Sequence, residues 1–305
     1  PRSRRVSVIV HQDFYRPSEE LIPFTVAVMT GRLPVYFLDC TVSSSMHTAV
    51  YAAVAAALPS DVIRPVGWPG GRALVTVAAF RYGSVRWTSP DGLAGGNPAY
   101  GEVAVAAVVT LSADAGRAGL GGFVLLMPVT TEEACLDGRT LFGYPKIVAD
   151  IDFAEDLSRR SVRVSDEDGT LLTYTVRPGG PILSDRQPRL TYTVLDGQLV
   201  QTTSRVHGTM RLRPGSKAAR LDLHDHPATQ RFRGLGISPA ALLGISHLDY
   251  RMVIPRPGRP VGPAETFDSS PGRAWHGGRF AVSYPGTGRI DVSSPSAATA
   301  TGTHH

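Results

Sequence analysis

The stretch LDGRTLFGYPKIVADI, residues 136–151, places a lysine between a proline and an isoleucine inside an apolar run. That placement is unusual for this chain, whose 31 lysines and arginines include only two lysines, Lys146 and Lys217. Arginine stays charged in every protein setting, whereas a lysine amine can be neutralised by burial and then act as a nucleophile. Lys146 is therefore a chemical candidate. Lys217, in RPGSKAARL (213–221), follows a Pro-Gly turn signal among arginines and reads as a solvated charge.

Around this segment the chain has the composition of a globular protein. With 305 residues and 42% hydrophobic content it can bury a sizeable core. The net charge of +5 comes from scattered arginines without a basic stripe, which argues against a nucleic-acid partner. Cys40 and Cys135 form neither a metal-ligand spacing nor a disulfide framework, as expected in a reducing compartment. No apolar run approaches a membrane span, so a soluble, cytoplasmic protein without a membrane partner is expected.

Short β-branched runs at 33–42, 72–80, 101–111, 121–129, 161–176, 188–206, 209–216 and 248–255 are separated by Gly, Pro, Asp and Ser clusters and predict a mainly β chain. Three stretches predict helices. SSSMHTAVYAAVAAALPSD predicts one from Ser44 to Leu58, capped by serine and stopped by proline. TTEEACLDGRTLFG predicts a second, with Thr130 and Glu133 at capping-box spacing and glycine at the end. SPAALLGIS predicts a third, with Ser238 as cap and Pro239 in the first turn. No linker divides the chain, so one domain is expected over 1–292, followed by a polar, disordered tail over 293–305.

These residues resemble the acetoacetate decarboxylase superfamily. Its Schiff-base lysine lies in a pattern of Gly-Arg-Glu, two residues, then Gly-Phe-Pro-Lys-Lys. Here the pattern reads Gly138, Arg139, Thr140, Leu141, Phe142, Gly143, Tyr144, Pro145, Lys146, Ile147. GGFVLLMPVTTEEACLDG upstream resembles the family's strand and helix, and LDLHDHPATQRFRGLGI and HLDYRMVIP downstream resemble its later elements, so the similarity runs from about Arg32 to Pro257. The resemblance implies an antiparallel β-barrel or cone with a few peripheral helices, a homo-oligomer, and an active site inside the barrel with no cofactor. Period two agrees, placing Tyr144, Lys146 and Val148 on one strand face and Pro145, Ile147 and Ala149 on the other.

By the same resemblance Lys146 is the nucleophile, and Glu102, in NPAYGEVAV, orients substrate or moves a proton. Arg32 would meet a substrate carboxylate, Tyr250 would offer a hydroxyl near the imine, and Arg139 and Tyr144 would line the substrate site. The family's second lysine is Ile147 here, so activation of Lys146 would rest on desolvation rather than on a neighbouring ammonium. The pair His224 and His226 reads as a turn, with no third metal ligand evident. The glycine-rich PGGR, GLGG and LAGGNP lack the P-loop context that cradles phosphate.

The implied activity is a lysine-dependent lyase acting on a keto acid or related carbonyl compound. It would work by decarboxylation, aldol addition and dehydration, or cyclisation, in specialised-metabolite biosynthesis. The alternative is a non-covalent cyclase or binding protein in which Lys146 forms no imine.

Overall fold

The computed structural model describes residues 21–26, 29–88, 94–112, 119–265, 267, 279–282 and 290–293. The expected tail beyond residue 293 lies outside them.

Seven strands carry the architecture: β1 (Met29–Val50), β2 (Arg72–Thr88), β3 (Tyr100–Leu111), β4 (Gly121–Val129), β5 (Arg189–Leu195), β6 (Gln198–Pro214) and β7 (Leu243–Ile254). Each pairs with the next in sequence, and β7 returns to pair with β1, so hydrogen bonding closes a ring. Every joint is antiparallel except β4–β5, which is parallel and spans only two residue pairs, Thr191 with Gly122 and Tyr192 with Phe123. A parallel joint needs a long crossover. Here the crossover contains the helix α2 (Glu132–Phe142) and the lysine segment. It also supplies three strands, Asp150–Glu155, Arg160–Asp166 and Gly169–Val176, which pair with Ala219–Leu223 in a second, antiparallel sheet.

Alternation along the ring strands decides what lies on each side. Val75, Val77 and Ala79 of β2 and Val103, Val105 and Ala107 of β3 face outward and pack with Val162, Val164, Leu171, Leu172, Tyr174 and Leu221 of the second sheet. The intervening residues face into the ring, and many are small: Ser44, Thr76, Ala78, Ala104, Ala106 and Gly122. Small inward side chains cannot fill a ring of this size. A cavity of about 690 Å³ results, within the range of small-molecule sites.

The predicted helices fare unevenly. The first begins only at Tyr51, as α1 (Tyr51–Ala56), because Ser43, Ser45, His47 and Ala49 bury alternate positions as part of β1. Packing of that alternating face overrides the local helix preference of the serines and alanines. The second forms, but its cap is Thr131; the Thr130 hydroxyl instead accepts from the Gly101 amide at 2.9 Å. The third does not form: Ala240 bridges to Arg220, and the Ser238 hydroxyl donates to the Ala240 carbonyl at 3.0 Å. A 3-10 turn over Pro227–Thr229 and a helical turn over Gln230–Arg233 lie just upstream. His226 caps the former, with Nδ1 accepting from the Ala228 amide and Nε2 donating to Asp166. Among the described residues no helix is long and apolar enough to cross a membrane.

Candidate active site

The lysine segment is fixed at both ends. α2 starts at Thr131, whose hydroxyl oxygen accepts from the Ala134 amide at 3.3 Å, and carries Glu132 and Glu133 in its first turn, where the helix dipole favours them. It stops at Gly143, which adopts the left-handed conformation at φ 66°. The Thr193 hydroxyl donates to the Phe142 carbonyl at 2.5 Å and ties this end to β5. A tight turn at Pro145, closed by the Lys146 amide on the Tyr144 carbonyl at 2.7 Å, leads into the strand Lys146–Val148, which extends β4 in parallel.

Two groups on α2 pin the lysine backbone. The Arg139 guanidinium donates to the Lys146 carbonyl at 2.6 Å, and the Cys135 thiol donates to the same oxygen at 3.5 Å. Gly138, on the same helix, leaves room for the side chain. A Cβ there would come within 2.5 Å of Lys146 Cδ and Cε, so glycine and lysine fit as a pair. The Gly-Arg dipeptide of the motif thus has a local physical reason: one residue clears the path of the lysine side chain and the other holds its main chain.

Lys146 reaches into the ring with its side chain 7% exposed, and Nζ lies 2.7 Å from Glu102 Oε2, whose side chain is equally buried. The Tyr82 hydroxyl donates to the other oxygen, Oε1, at 3.1 Å. Tyr100 and Tyr144 present their rings to the ammonium, with centroids 5.7 and 5.8 Å from Nζ. Burial, and then the charge of Glu102, raise the Tyr82 and Tyr100 hydroxyls well above the usual tyrosine range, so both stay neutral. The Tyr144 hydroxyl bonds Thr191 Oγ1 at 2.9 Å, and burial pushes it up to about 12.

Asp137 also lines the cavity. Its Oδ2 accepts from Asn97 at 2.8 Å, while its Oδ1 is buried without a partner among the described residues. Burial raises its carboxyl to about 6, against the lowering effects of Asn97 and the Lys146 charge.

The sequence-predicted residues divide. Lys146, Glu102 and Tyr144 meet at one place. Tyr250 is on the cavity wall but belongs to another part of it, with its ring against Phe80 and His247. Arg139 supports the lysine backbone and is not among the cavity-lining residues. Arg32 lies on β1 opposite Thr88 and is likewise not among them; among the described residues the arginine that lines the cavity is Arg189. Ile147 packs outward into the layer between ring and second sheet. A second lysine at 147 would therefore stand on the other side of the strand from Nζ, and its replacement removes no charge from the cavity. Sequence reading missed Tyr82, Tyr100, Asp137 and His247. Period two on β2 and β3 was the available signal for the first two, because Tyr82 pairs with Tyr100 and Phe80 with Glu102.

A family model described as acetoacetate decarboxylase (ADC) matches residues 22–255. Among solved structures, the enduracididine biosynthesis enzyme MppR, complexed with the condensation product of pyruvate and imidazole 4-carboxaldehyde, is similar with a TM-score of 0.57 at 14% identity, covering 75% of this chain and 90% of that one. A structure described as acetoacetate decarboxylase has a TM-score of 0.54 at 17% identity, covering 76% and 91%. The acetoacetate decarboxylase of Legionella pneumophila has a TM-score of 0.54 at 16% identity, covering 76% and 88%. No curated protein matches the chain in sequence.

Proposed function

The chain belongs to the acetoacetate decarboxylase family, and from that premise we propose that it is a lysine-dependent lyase that forms an imine with a keto acid or related carbonyl compound. The observation that carries this reading is the buried contact of Lys146 Nζ with Glu102 Oε2 at 2.7 Å on the wall of a 690 Å³ cavity. The contact gives the ammonium proton a direct path: transfer to Glu102 leaves a neutral amine beside a neutral acid. The amine lone pair attacks the substrate carbonyl carbon. Glu102 returns its proton to the carbonyl oxygen, a second proton passes to that oxygen from the attacking nitrogen, and its loss as water leaves a protonated imine. The imine nitrogen then accepts the electron pair released when a bond to the adjacent carbon breaks. If that bond is to a carboxylate, carbon dioxide leaves; if it is a C–H bond, the Glu102 carboxylate takes the proton, the resulting enamine adds to a second carbonyl, and dehydration or ring closure can follow.

The second course is favoured by two features. The ring interior holds far more space than a four-carbon acid needs, and MppR, whose structure holds a condensation product of pyruvate, shares the fold. A role in specialised-metabolite biosynthesis, as a cytoplasmic homo-oligomer, completes the reading.

Borohydride added with pyruvate or acetoacetate should trap an adduct on Lys146 and none on Lys217, read by mass spectrometry of the GYPK peptide. Glu102→Gln should slow both turnover and adduct formation by roughly 10²-fold or more, because Glu102 carries the proton in imine formation. The ion pair itself also suits a second reading, in which Lys146 stays an ammonium and only donates hydrogen bonds. Absence of any adduct with these acids and with longer keto acids would select that one.

A further inference from the structure

The cavity wall carries a second buried polar group, away from Lys146. His247 lines the cavity on β7 and is 5% exposed. Its Nε2 lies 2.8 Å from Asp185 Oδ2, and Asp185, 1% exposed, also takes the Arg189 guanidinium at 2.7 Å. Burial would raise the Asp185 carboxyl, but the His247 hydrogen bond and the Arg189 charge outweigh it and hold it below the usual range. An ionised carboxylate can only accept, so Nε2 carries a proton, and in the neutral imidazole Nδ1 then keeps its lone pair. That Nδ1 is buried and has no partner among the described residues.

The backbone is built to put this histidine here. β7 has a bulge where His247 pairs with Met210 and Asp249 with Thr209, leaving Leu248 as the extra residue. Cavity-lining positions on β7 are Ile245 and His247 before the bulge, and Tyr250, Met252 and Ile254 after it. In a strand without a bulge the three-residue spacing of His247 and Tyr250 would put them on opposite faces; bulges beside functional sites commonly re-aim side chains in this way. Gly208 on β6 permits it, since a Cβ there would lie 1.9 Å from the Asp249 carbonyl oxygen.

Between this group and Lys146 the wall is aromatic. The His247 ring packs on Tyr250 at 4.7 Å, Tyr250 on Phe80 at 6.3 Å, and Phe80 stacks on Tyr82 at 5.5 Å, whose hydroxyl reaches Glu102. The cavity therefore has two polar poles joined by an apolar, aromatic strip.

We propose that the His247 pole is a distal substrate subsite, in which Nδ1 accepts a hydrogen bond from a hydroxyl at the far end of an elongated carbonyl compound with an aromatic or apolar middle. Asp185 is a positioning residue that fixes the tautomer and ring plane of His247. The orientation of such a ligand, keto carbon toward Lys146, rests on the imine reading; the hydroxyl contact does not.

The test uses ω-(4-hydroxyphenyl)-2-oxoalkanoates with chains of four to eight carbons, each beside its deoxy phenyl counterpart. Binding to the full chain is measured by calorimetry, and adduct formation separately by borohydride trapping. At one length the hydroxyl compound should bind about tenfold or more tightly than its counterpart, because the counterpart leaves a buried acceptor unpaired. H247F keeps a flat ring and removes the acceptor, while Asp185 keeps Arg189, so the ratio should fall close to one through weaker binding of the hydroxyl compound alone. A ratio near one at every length in the unaltered protein, or a ratio that survives in H247F, overturns the subsite. Should H247F fail to fold, the unaltered protein's ratios decide by themselves. A preference without any borohydride adduct keeps the subsite and removes the imine.

Discussion

Ala104 and Ala107, three residues apart on β3, sit in two different solids. Ala107 is fully buried in the layer between ring and second sheet, where valines and leucines interdigitate with no room to spare. Ala104 faces the ring interior and borders open volume. The same strands build both regions, one side for stability and the other for capacity. Filling the ring with large side chains would gain burial and lose the site, so the missing inner core is a structural cost that the outer layer offsets.

Position 147 gives the sharpest way to break this contrast. Ile147→Lys puts an ammonium into the outer layer and should lower stability by about 2 kcal/mol or more. Trapping of pyruvate on Lys146 should be unaffected, because residue 147 faces away from the cavity. Unchanged urea unfolding together with faster trapping at neutral pH would mean that the two sides of the strand communicate and that the separation drawn here is false.

The alanine pair sharpens it further. Ala107→Leu overpacks the layer and should cost about 1–3 kcal/mol. Ala104→Leu grows into empty space and should move stability by no more than roughly 0.5 kcal/mol, while reducing the binding of long keto acids. Equal losses in urea unfolding would show that the ring interior is as tightly packed as the layer.

An effect that appears only as a dependence on pH belongs to Asp137, placed at the boundary of the open region. Its carboxyl titrates near 6 against an ordinary 3.8, because burial favours the neutral form. The fold therefore binds this proton more tightly than the unfolded chain does. The stability it contributes is complete below 3.8 and is lost as pH rises through about 6. Asp137→Asn should remove that decline, leaving the variant about 2 kcal/mol better, relative to the parent, at pH 7.5 than at pH 4. Parallel unfolding curves for the two proteins at both pH values would contradict the burial argument.

Much of this was legible in the sequence. A lysine in an arginine-rich chain, inside a recognisable motif, led to Lys146, and the acidic YGE turn led to Glu102; both depend on local spacing. What stayed hidden depends on distant pairing. Ser44 to Val50 looks helical in isolation because the alternating burial that makes it a strand is supplied by β2 and β7. Arg32 stands near the right strand in sequence, yet its register opposite Thr88 keeps it off the cavity wall, which no local pattern reveals. His247 escaped because the bulge at Leu248 breaks period two, and a strict alternation from Tyr250 assigns it to the wrong face.

The parallel joint of the ring bears on how anything gets in. It holds β4 to β5 through two residue pairs, whereas its antiparallel neighbours β5–β6 and β3–β4 run over most of their strands. Gly121, Gly122, Leu190 and Thr191, on either side of it, all line the cavity. Local opening proceeds where the fewest backbone bonds must break. The seam left by the long crossover is thus where the fewest ladder bonds hold the wall, and the lysine segment that the crossover carries lies next to it.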